Sequence, residues 1–85
     1  MQYEVRFVGS TLKQLNKLPK NERLKFEGII ELLKTNPVPP NAVKLRNRPG
    51  YRIRFGNYRL IYAIEKELLV ILVLKVAHRK HSYKK

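Results

Sequence analysis

The stretch that decides the fold of this 85-residue chain is residues 51–62, which read YRIRFGNYRLIY. Two runs of alternating apolar and polar residues flank Gly56-Asn57. A glycine-asparagine type of dipeptide between such runs is the signal of a β-hairpin with a two-residue loop. So short a loop fixes which residues of the two strands face each other, and it predicts that Arg54 lies directly opposite Arg59.

The same register sorts the side chains of the hairpin onto two faces. The face suited to packing consists of Tyr51, Ile53, Phe55, Tyr58, Leu60 and Tyr62. The other face presents Arg52, Arg54 and Arg59, and neither strand carries an acid to neutralise them. Like charges directly across an antiparallel pair destabilise it by up to about 1 kcal/mol. One such arginine is typical of a solvated sheet face, whereas three together favour an anion-binding surface, because guanidinium forks bind phosphate oxygens and stay charged.

Toward the N-terminus, the patterns predict one strand and two helices. Residues 3–7 alternate as a half-buried strand does. Ser10 is a candidate N-cap for a short helix that ends at Pro19, and Asn21 is a candidate N-cap for a second helix over residues 22–35. The short link favours a helical hairpin lying on a sheet. The apolar residues assigned to the two helices are Leu12, Leu15, Leu18, Leu24, Ile29, Ile30, Leu32 and Leu33.

The C-terminal half reads as strands. A weak strand over residues 43–48 precedes the hairpin strands over 51–55 and 58–64, and a last strand covers 68–76. The last strand is apolar on both faces, so we expect it to be the central one, covered on one side by the helices. The predicted fold is a single α+β domain over residues 1–85, a two-helix hairpin packed on a mostly antiparallel sheet of four to five strands in the order β-α-α-β-β-β-β.

Composition limits the classes of protein to consider. The chain has 19 Lys and Arg against 6 Asp and Glu, a net charge of +13, and twelve of the basic residues fall in residues 44–85. Such an excess indicates a polyanionic partner. There are no cysteines, which excludes disulfides and thiolate metal sites. The longest apolar run, residues 68–74, is too short to span a membrane, so we expect a soluble, cytoplasmic protein with no membrane contact.

Several kinds of catalytic site are disfavoured by the residues present. The acids do not form the cluster that a two-metal nuclease requires, and the four glycines are isolated, so no nucleotide-binding loop is indicated. His78 and His81 lack carboxylate or cysteine neighbours for a metal site, and remain minor candidates for proton transfer. We expect no cofactor, and either a metal-free phosphate chemistry or simple binding.

The block at 51–62, together with the run LKVAHRKHSY at 74–83, resembles the RelE/ParE superfamily of bacterial and archaeal toxins. The resemblance extends over essentially the whole chain. It implies a toxin of a type II toxin-antitoxin system that cleaves messenger RNA in the ribosomal A site without a metal. In that reaction the ribose 2′-OH attacks the adjacent phosphate and leaves a 2′,3′-cyclic phosphate and a 5′-OH.

The resemblance also implies roles for individual residues. Arg52 and Arg54 match the basic positions that bind phosphate and assist the 2′-OH, and Arg59 matches the arginine that stabilises the transition state. Arg79 matches the arginine that assists the leaving 5′ oxygen, and Tyr83 the tyrosine that stacks on the scissile nucleotide. The residues expected to add substrate contacts are Lys44, Arg46, Arg48, His78 and His81.

The identity of the general base stays open at this point. The best-known RelE members carry lysine where this chain has Arg52 and Arg54, and arginine does not readily give up its proton. Either electrostatic stabilisation and in-line orientation by the ribosome suffice, or His78 or His81 takes part. Of the two, we favour the electrostatic route.

The resemblance implies a cognate antitoxin as partner, the ribosome with its mRNA as target, and operator DNA contacted indirectly through the antitoxin. Two other functions remain open. A ParE-like toxin shares the fold and inhibits DNA gyrase, and a plain basic nucleic-acid-binding module needs no catalytic face at all.

Overall fold

A computed structural model of the chain describes residues 2–78. Its elements are β1 (Glu4–Phe7), α1 (Thr11–Asn16), α2 (Lys20–Thr35), β2 (Val43–Lys44), β3 (Tyr51–Phe55), β4 (Tyr58–Glu65) and β5 (Val70–His78). The order β-α-α-β-β-β-β is the one that the sequence predicts. The five strands form one sheet in the order β1-β5-β4-β3-β2. All neighbouring strands are antiparallel except β1 and β5, which are parallel.

The hairpin register predicted from Gly56-Asn57 is confirmed. Arg54 pairs with Arg59, Ile53 with Leu60, and the pairing continues without a shift from the turn to Tyr51 and Tyr62. Gly56 adopts φ +60°, the left-handed conformation that glycine reaches without steric cost.

Both helices pack on one face of the sheet and build the core there. The buried cluster consists of Leu15, Phe26, Ile30, Leu33, Ile53, Phe55, Leu60, Tyr62, Ile71 and Val73. Tyr62 is fully buried, and its hydroxyl donates a hydrogen bond of 2.7 Å to the carbonyl of Pro37. Tyr51 stacks on the Tyr62 ring at a centroid distance of 5.8 Å. These contacts attach the proline-rich segment after α2 to the middle of the sheet.

The helix boundaries and faces differ from the sequence prediction in three ways. Ser10 precedes α1 as predicted but makes no capping bond, because its hydroxyl accepts from the Gln14 side chain instead. Asn21 lies inside α2 rather than capping it; Pro19 stands at the cap, and its carbonyl accepts from the amide of Arg23. Leu12, Leu24 and Leu32, three of the apolar residues assigned to the helices, are exposed, and Phe26, which was not among them, is buried.

The strands also differ from the prediction in extent and position. The weak strand predicted over 43–48 is only the two residues of β2, because a loop begins at Leu45. The last strand begins at Val70 rather than residue 68, since the turn after β4 includes Leu68 and Leu69. That strand, β5, is an interior strand between β1 and β4, whereas the middle of the sheet is β4. No helix within residues 2–78 is long and apolar enough to cross a membrane.

Candidate nucleic-acid interface

The sheet surface opposite the helices carries the predicted arginines, and we call it the open face. Two rows of paired residues run across it. The first row joins Arg52 on β3 to Ile61 on β4, and the second joins Arg54 to Arg59, two pairs closer to the hairpin turn. The three predicted arginines therefore lie on one face of two adjacent strands. Their backbones are held in place by the hairpin and by the core beneath it.

Arg59 differs from the other two arginines in its burial. It is only 7% exposed, whereas Arg54 is exposed and Arg52 is half-buried. Arg59 lies on the middle strand, between Arg54 on β3 and Ala77 on β5. A charge held in a partly desolvated position interacts more strongly with an approaching anion than one in bulk water does. The open face thus presents one embedded cation beside an exposed one.

The acidic residues of the sheet lie away from this hairpin. Glu65 is at the opposite end of β4, and Glu4 is on the edge strand β1, which β5 separates from β4. Glu4 accepts a hydrogen bond of 3.1 Å from Arg6, and this bond, together with the Arg6 charge, lowers the pKa of the Glu4 carboxyl. Arg6 is therefore locally compensated on the same face of the sheet. The contrast with Arg54, whose cross-strand partner is another arginine, marks the hairpin as the electropositive part of the face.

A carboxylate from α2 lies against the tip of the hairpin. A Cβ atom placed on Gly56 would collide with the Glu22 carboxylate. Oε1 of Glu22 is buried and lies 3.8 Å from Nζ of Lys25, beyond hydrogen-bond distance. Glu22 is thus packed directly over the turn that joins the strands of Arg54 and Arg59.

A residue that the sequence analysis did not single out, Lys75, also reaches the open face. The pairing of β4 with β5 shifts between Ile61 and Tyr62, so that Ile61 faces Lys75 while Tyr62 faces Val73. Leu74 is the extra residue of this β-bulge. Lys75 is exposed and extends the row of Arg52 and Ile61 onto a third strand. Its signal in the sequence is a single lysine within an otherwise apolar strand.

The predicted substrate contacts on the β2 side are not brought next to the three arginines. Lys44 pairs with Tyr51, which faces the helix side, so the register directs Lys44 away from the open face. It lines a cleft of about 620 Å³ between the loop before β3 and the turn after β4, at the end of the sheet opposite the hairpin tip. Arg46 and Arg48 are exposed in the loop that connects β2 to β3.

His78, at the end of β5, is paired with Tyr58. Their rings make an edge-on contact at a centroid distance of 5.0 Å. Tyr58 belongs to the helix-side face of the hairpin, so His78 lies on the face opposite the arginines. The remaining predicted site residues, Arg79, His81 and Tyr83, lie outside the described residues. Within residues 2–78, no three histidine, aspartate or glutamate side chains come together in a group able to hold a metal ion.

Comparison with known proteins identifies the family. Residues 5–83 match the family model described as the ParE toxin of type II toxin-antitoxin systems, parDE. The toxin RelG of Mycobacterium tuberculosis is 30% identical over 90 residues, which cover all of this chain and all of RelG. The chain belongs to the ParE/RelE toxin family. It is accordingly a toxin of the type II toxin-antitoxin class, which the sequence resemblance predicts.

Solved structures of ParE/RelE family members share the fold described above. The archaeal RelE–RelB complex from Pyrococcus horikoshii contains a chain that is 33% identical, with a TM-score of 0.83, covering 93% of this chain and 97% of that one. The intact RelBE toxin-antitoxin complex of Escherichia coli contains a chain that is 29% identical, with a TM-score of 0.79, covering 89% and 95%. These likenesses confirm the predicted RelE-like α+β fold.

Proposed function

We propose that this toxin is a ribosome-dependent mRNA endonuclease that cuts within the A site by metal-free attack of a ribose 2′-OH on the adjacent phosphodiester. The observation that carries the proposal is the arrangement of Arg52, Arg54 and Arg59 on one face of a rigid hairpin. A pentacoordinate phosphate transition state carries more negative charge than the ground state does. Fixed guanidinium groups aimed at that charge accelerate the reaction, because they need no reorganisation as the charge develops.

The burial of Arg59 supports a catalytic role over simple RNA binding. A module that only binds a polyanion is served by exposed, mobile cations, which attract phosphates over a distance. Embedding a guanidinium at 7% exposure has a desolvation cost that binding alone does not require. Arg59 is the residue that we assign to transition-state stabilisation, and Arg52 and Arg54 to holding the phosphate.

The bonds and protons of the proposed reaction balance without a cofactor. The 2′ oxygen bonds to phosphorus, the bond from phosphorus to the 5′ oxygen breaks, and the products are a 2′,3′-cyclic phosphate and a 5′-OH. The 2′-OH proton passes to water, and the leaving 5′ oxygen takes a proton from water while Arg79 offsets its charge. The position of His78 against Tyr58 on the opposite face supports this electrostatic route over a histidine base. The same proposal assigns a substrate contact to His81 and stacking on the scissile nucleotide to Tyr83.

The proposal includes the partners of the toxin. A cognate antitoxin is the expected protein partner, in keeping with the RelB chains in the complexes from Pyrococcus horikoshii and Escherichia coli. Operator DNA is contacted through that antitoxin rather than by the toxin itself. Since the substrate is mRNA on ribosomes, the proposed location is the cytoplasm. Lys44, Arg46 and Arg48 are proposed to contact RNA or ribosome outside the scissile phosphodiester.

A gyrase-directed function is the second candidate, because the family model that matches residues 5–83 bears the ParE description. One pair of assays separates the two. The purified toxin is added to ribosomes programmed with a defined mRNA, and in parallel to gyrase with relaxed plasmid. We expect cleaved mRNA and unaffected supercoiling. Intact mRNA with blocked supercoiling would replace the proposal with the ParE function, and RNA binding with neither effect would indicate a plain binding module.

A further inference from the structure

We propose that Lys75 is a further RNA-positioning residue, a fourth cation beside the three hairpin arginines on the open face, and that the β-bulge at Leu74 directs it there. The inference rests on the proposed function for its substrate class, an RNA phosphodiester chain. The inference adds β5 to the nucleic-acid surface, which would otherwise consist of the two hairpin strands β3 and β4.

The bulge determines which face Lys75 occupies. Before the bulge, Ile71 and Val73 are fully buried on the helix side, so residues 70 and 72 face the other way. Strict alternation would then direct residue 75 into the core. The extra residue Leu74 reverses the phase, so that Val76 packs against the core and Lys75 is exposed on the open face. Bulges next to functional sites commonly re-aim a side chain in this way.

The neighbours of Lys75 connect it to the arginines. Its cross-strand partner is Ile61, whose own partner on the other side is Arg52. Arg59 is two residues from Ile61 on β4 and is therefore the diagonal neighbour of Lys75, at a separation of roughly 7–8 Å for such pairs. At that backbone separation two long cationic side chains can reach successive oxygens of one phosphodiester or two adjacent phosphates.

The chemistry of lysine fits a positioning role. An ammonium group on a flexible four-carbon stem acts as a point charge for phosphate oxygens, without the fixed fork of arginine. Lys75 therefore extends the surface along the RNA backbone, while the embedded Arg59 acts on the scissile phosphate. No base recognition is implied, so its contribution is independent of RNA sequence.

The test measures RNA binding and ribosomal cleavage for the full-length toxin and three variants. K75A removes the cation, K75R restores it, and K66A is the matched control, because Lys66 is an exposed lysine on the β4–β5 turn at the far end of the sheet. The binding probe is a single-stranded RNA oligonucleotide with 2′-O-methyl sugars throughout, which lacks the attacking hydroxyl and is not cleaved, titrated over a range of salt concentrations. Circular dichroism on each variant reports retention of the fold.

We expect K75A to weaken binding about fivefold and to lower the slope of log affinity against log salt by about 0.7, the value for one phosphate contact on single-stranded nucleic acid. K75R and K66A are each expected to keep the affinity and the salt slope of the wild type. Wild-type affinity and slope in K75A, or an equal loss in K66A, would overturn the inference. If RNA binding depends on Lys75 but the wild type does not cleave mRNA, the proposed function is refuted and this inference stands. If the wild type cleaves mRNA and K75A binds RNA as the wild type does, this inference is refuted and the proposed function stands.

Discussion

Arg54 and Arg59 lie directly opposite each other on the open face of β3 and β4, two arginines in one cross-strand pair. Such a like-charge pair reduces sheet stability. The pair lies on the face that the family resemblance associates with catalysis. Of its two members, Arg59 is buried and Arg54 is exposed. We interpret the repulsion as the stability cost of holding two guanidinium groups ready for one phosphate.

The first prediction concerns that cost. R54Q is expected to raise the free energy of unfolding by about 0.5 to 1 kcal/mol, because it removes the cross-strand repulsion, and to reduce RNA cleavage. The measurement is urea denaturation followed by circular dichroism. R6Q is the matched control, since Arg6 is an exposed arginine on the same face that hydrogen-bonds Glu4 at 3.1 Å. A stability gain in R6Q equal to that in R54Q would show that the effect is not specific to the arginine pair.

The second prediction concerns the anchor of the proline-rich segment. Y62F removes the hydrogen bond from Tyr62 to the carbonyl of Pro37 and leaves that carbonyl without its tyrosine donor. We expect a loss of about 1 to 2 kcal/mol in the free energy of unfolding. The comparison is Y51F, which keeps the stacked ring but alters only the partly exposed member of the pair. Equal losses in Y62F and Y51F would contradict the anchoring role.

The third prediction follows from the pKa of Tyr62, which burial, and secondarily Tyr51, raise to about 12. Between about pH 10 and pH 12 the folded protein keeps the Tyr62 proton, whereas the unfolded chain loses it. The free energy of unfolding is therefore unaffected below about pH 10 and falls as the pH rises toward 12. The advantage of the wild type over Y62F is therefore expected to shrink by about 1 kcal/mol between pH 8 and pH 11. Urea denaturation at the two pH values measures it. An advantage that stays constant or grows would contradict the raised pKa.

The fourth prediction concerns the hairpin tip. G56A places a methyl group against the Glu22 carboxylate at a φ of +60°, so it combines backbone strain with a collision. G9A is the matched control, because Gly9 has φ +59° and no atom within 4 Å of the added methyl. G9A is expected to cost about 1 kcal/mol, and G56A more. In a double-mutant cycle, E22A should recover part of the G56A loss and none of the G9A loss. Additive effects of E22A and G56A would contradict the contact.

The hairpin was predictable from sequence because its determinants are local. Gly56-Asn57 sets the turn, the turn sets the register, and the register places Arg52, Arg54 and Arg59 on one face. The helix N-cap at Asn21 was wrong because Pro19 begins the helix two residues earlier than the side-chain signal suggested. Such errors of a few residues concern boundaries rather than the existence of an element.

Three features of the site could not be predicted from the sequence, because they depend on how the strands pair. The run around Lys75 is apolar on both sides, so its periodicity could not reveal the bulge that sends Lys75 to the open face. Arg59 is buried on the middle strand of the sheet, and Ala77, eighteen positions along the chain, becomes its neighbour only through strand pairing. Lys44 is predicted to add a substrate contact, and its pairing with Tyr51 directs it to the side of the sheet opposite the three arginines.

The fifth prediction concerns the nucleophile. If the 2′-OH attacks the phosphate, an mRNA with a single 2′-deoxy sugar at the cleaved nucleotide should remain intact on the ribosome, because the attacking oxygen is missing. The unmodified mRNA should give a downstream fragment with a 5′-OH, which polynucleotide kinase labels without prior phosphatase treatment. Cleavage of the deoxy mRNA, or a downstream fragment that requires phosphatase first, would indicate a different reaction.

The most direct test of the central claim compares cleavage by wild type, R59Q and R6Q on ribosomes stalled with a defined codon in the A site, with cut positions mapped by primer extension. Circular dichroism and urea denaturation establish that each variant is folded. We predict a cut within the A-site codon by the wild type and R6Q, and a rate lower by about 100-fold or more for R59Q, the size of effect expected when one transition-state donor is lost. Cleavage by folded R59Q at the wild-type rate, or intact mRNA with the wild type, would contradict the assignment of the open face as a ribonuclease site.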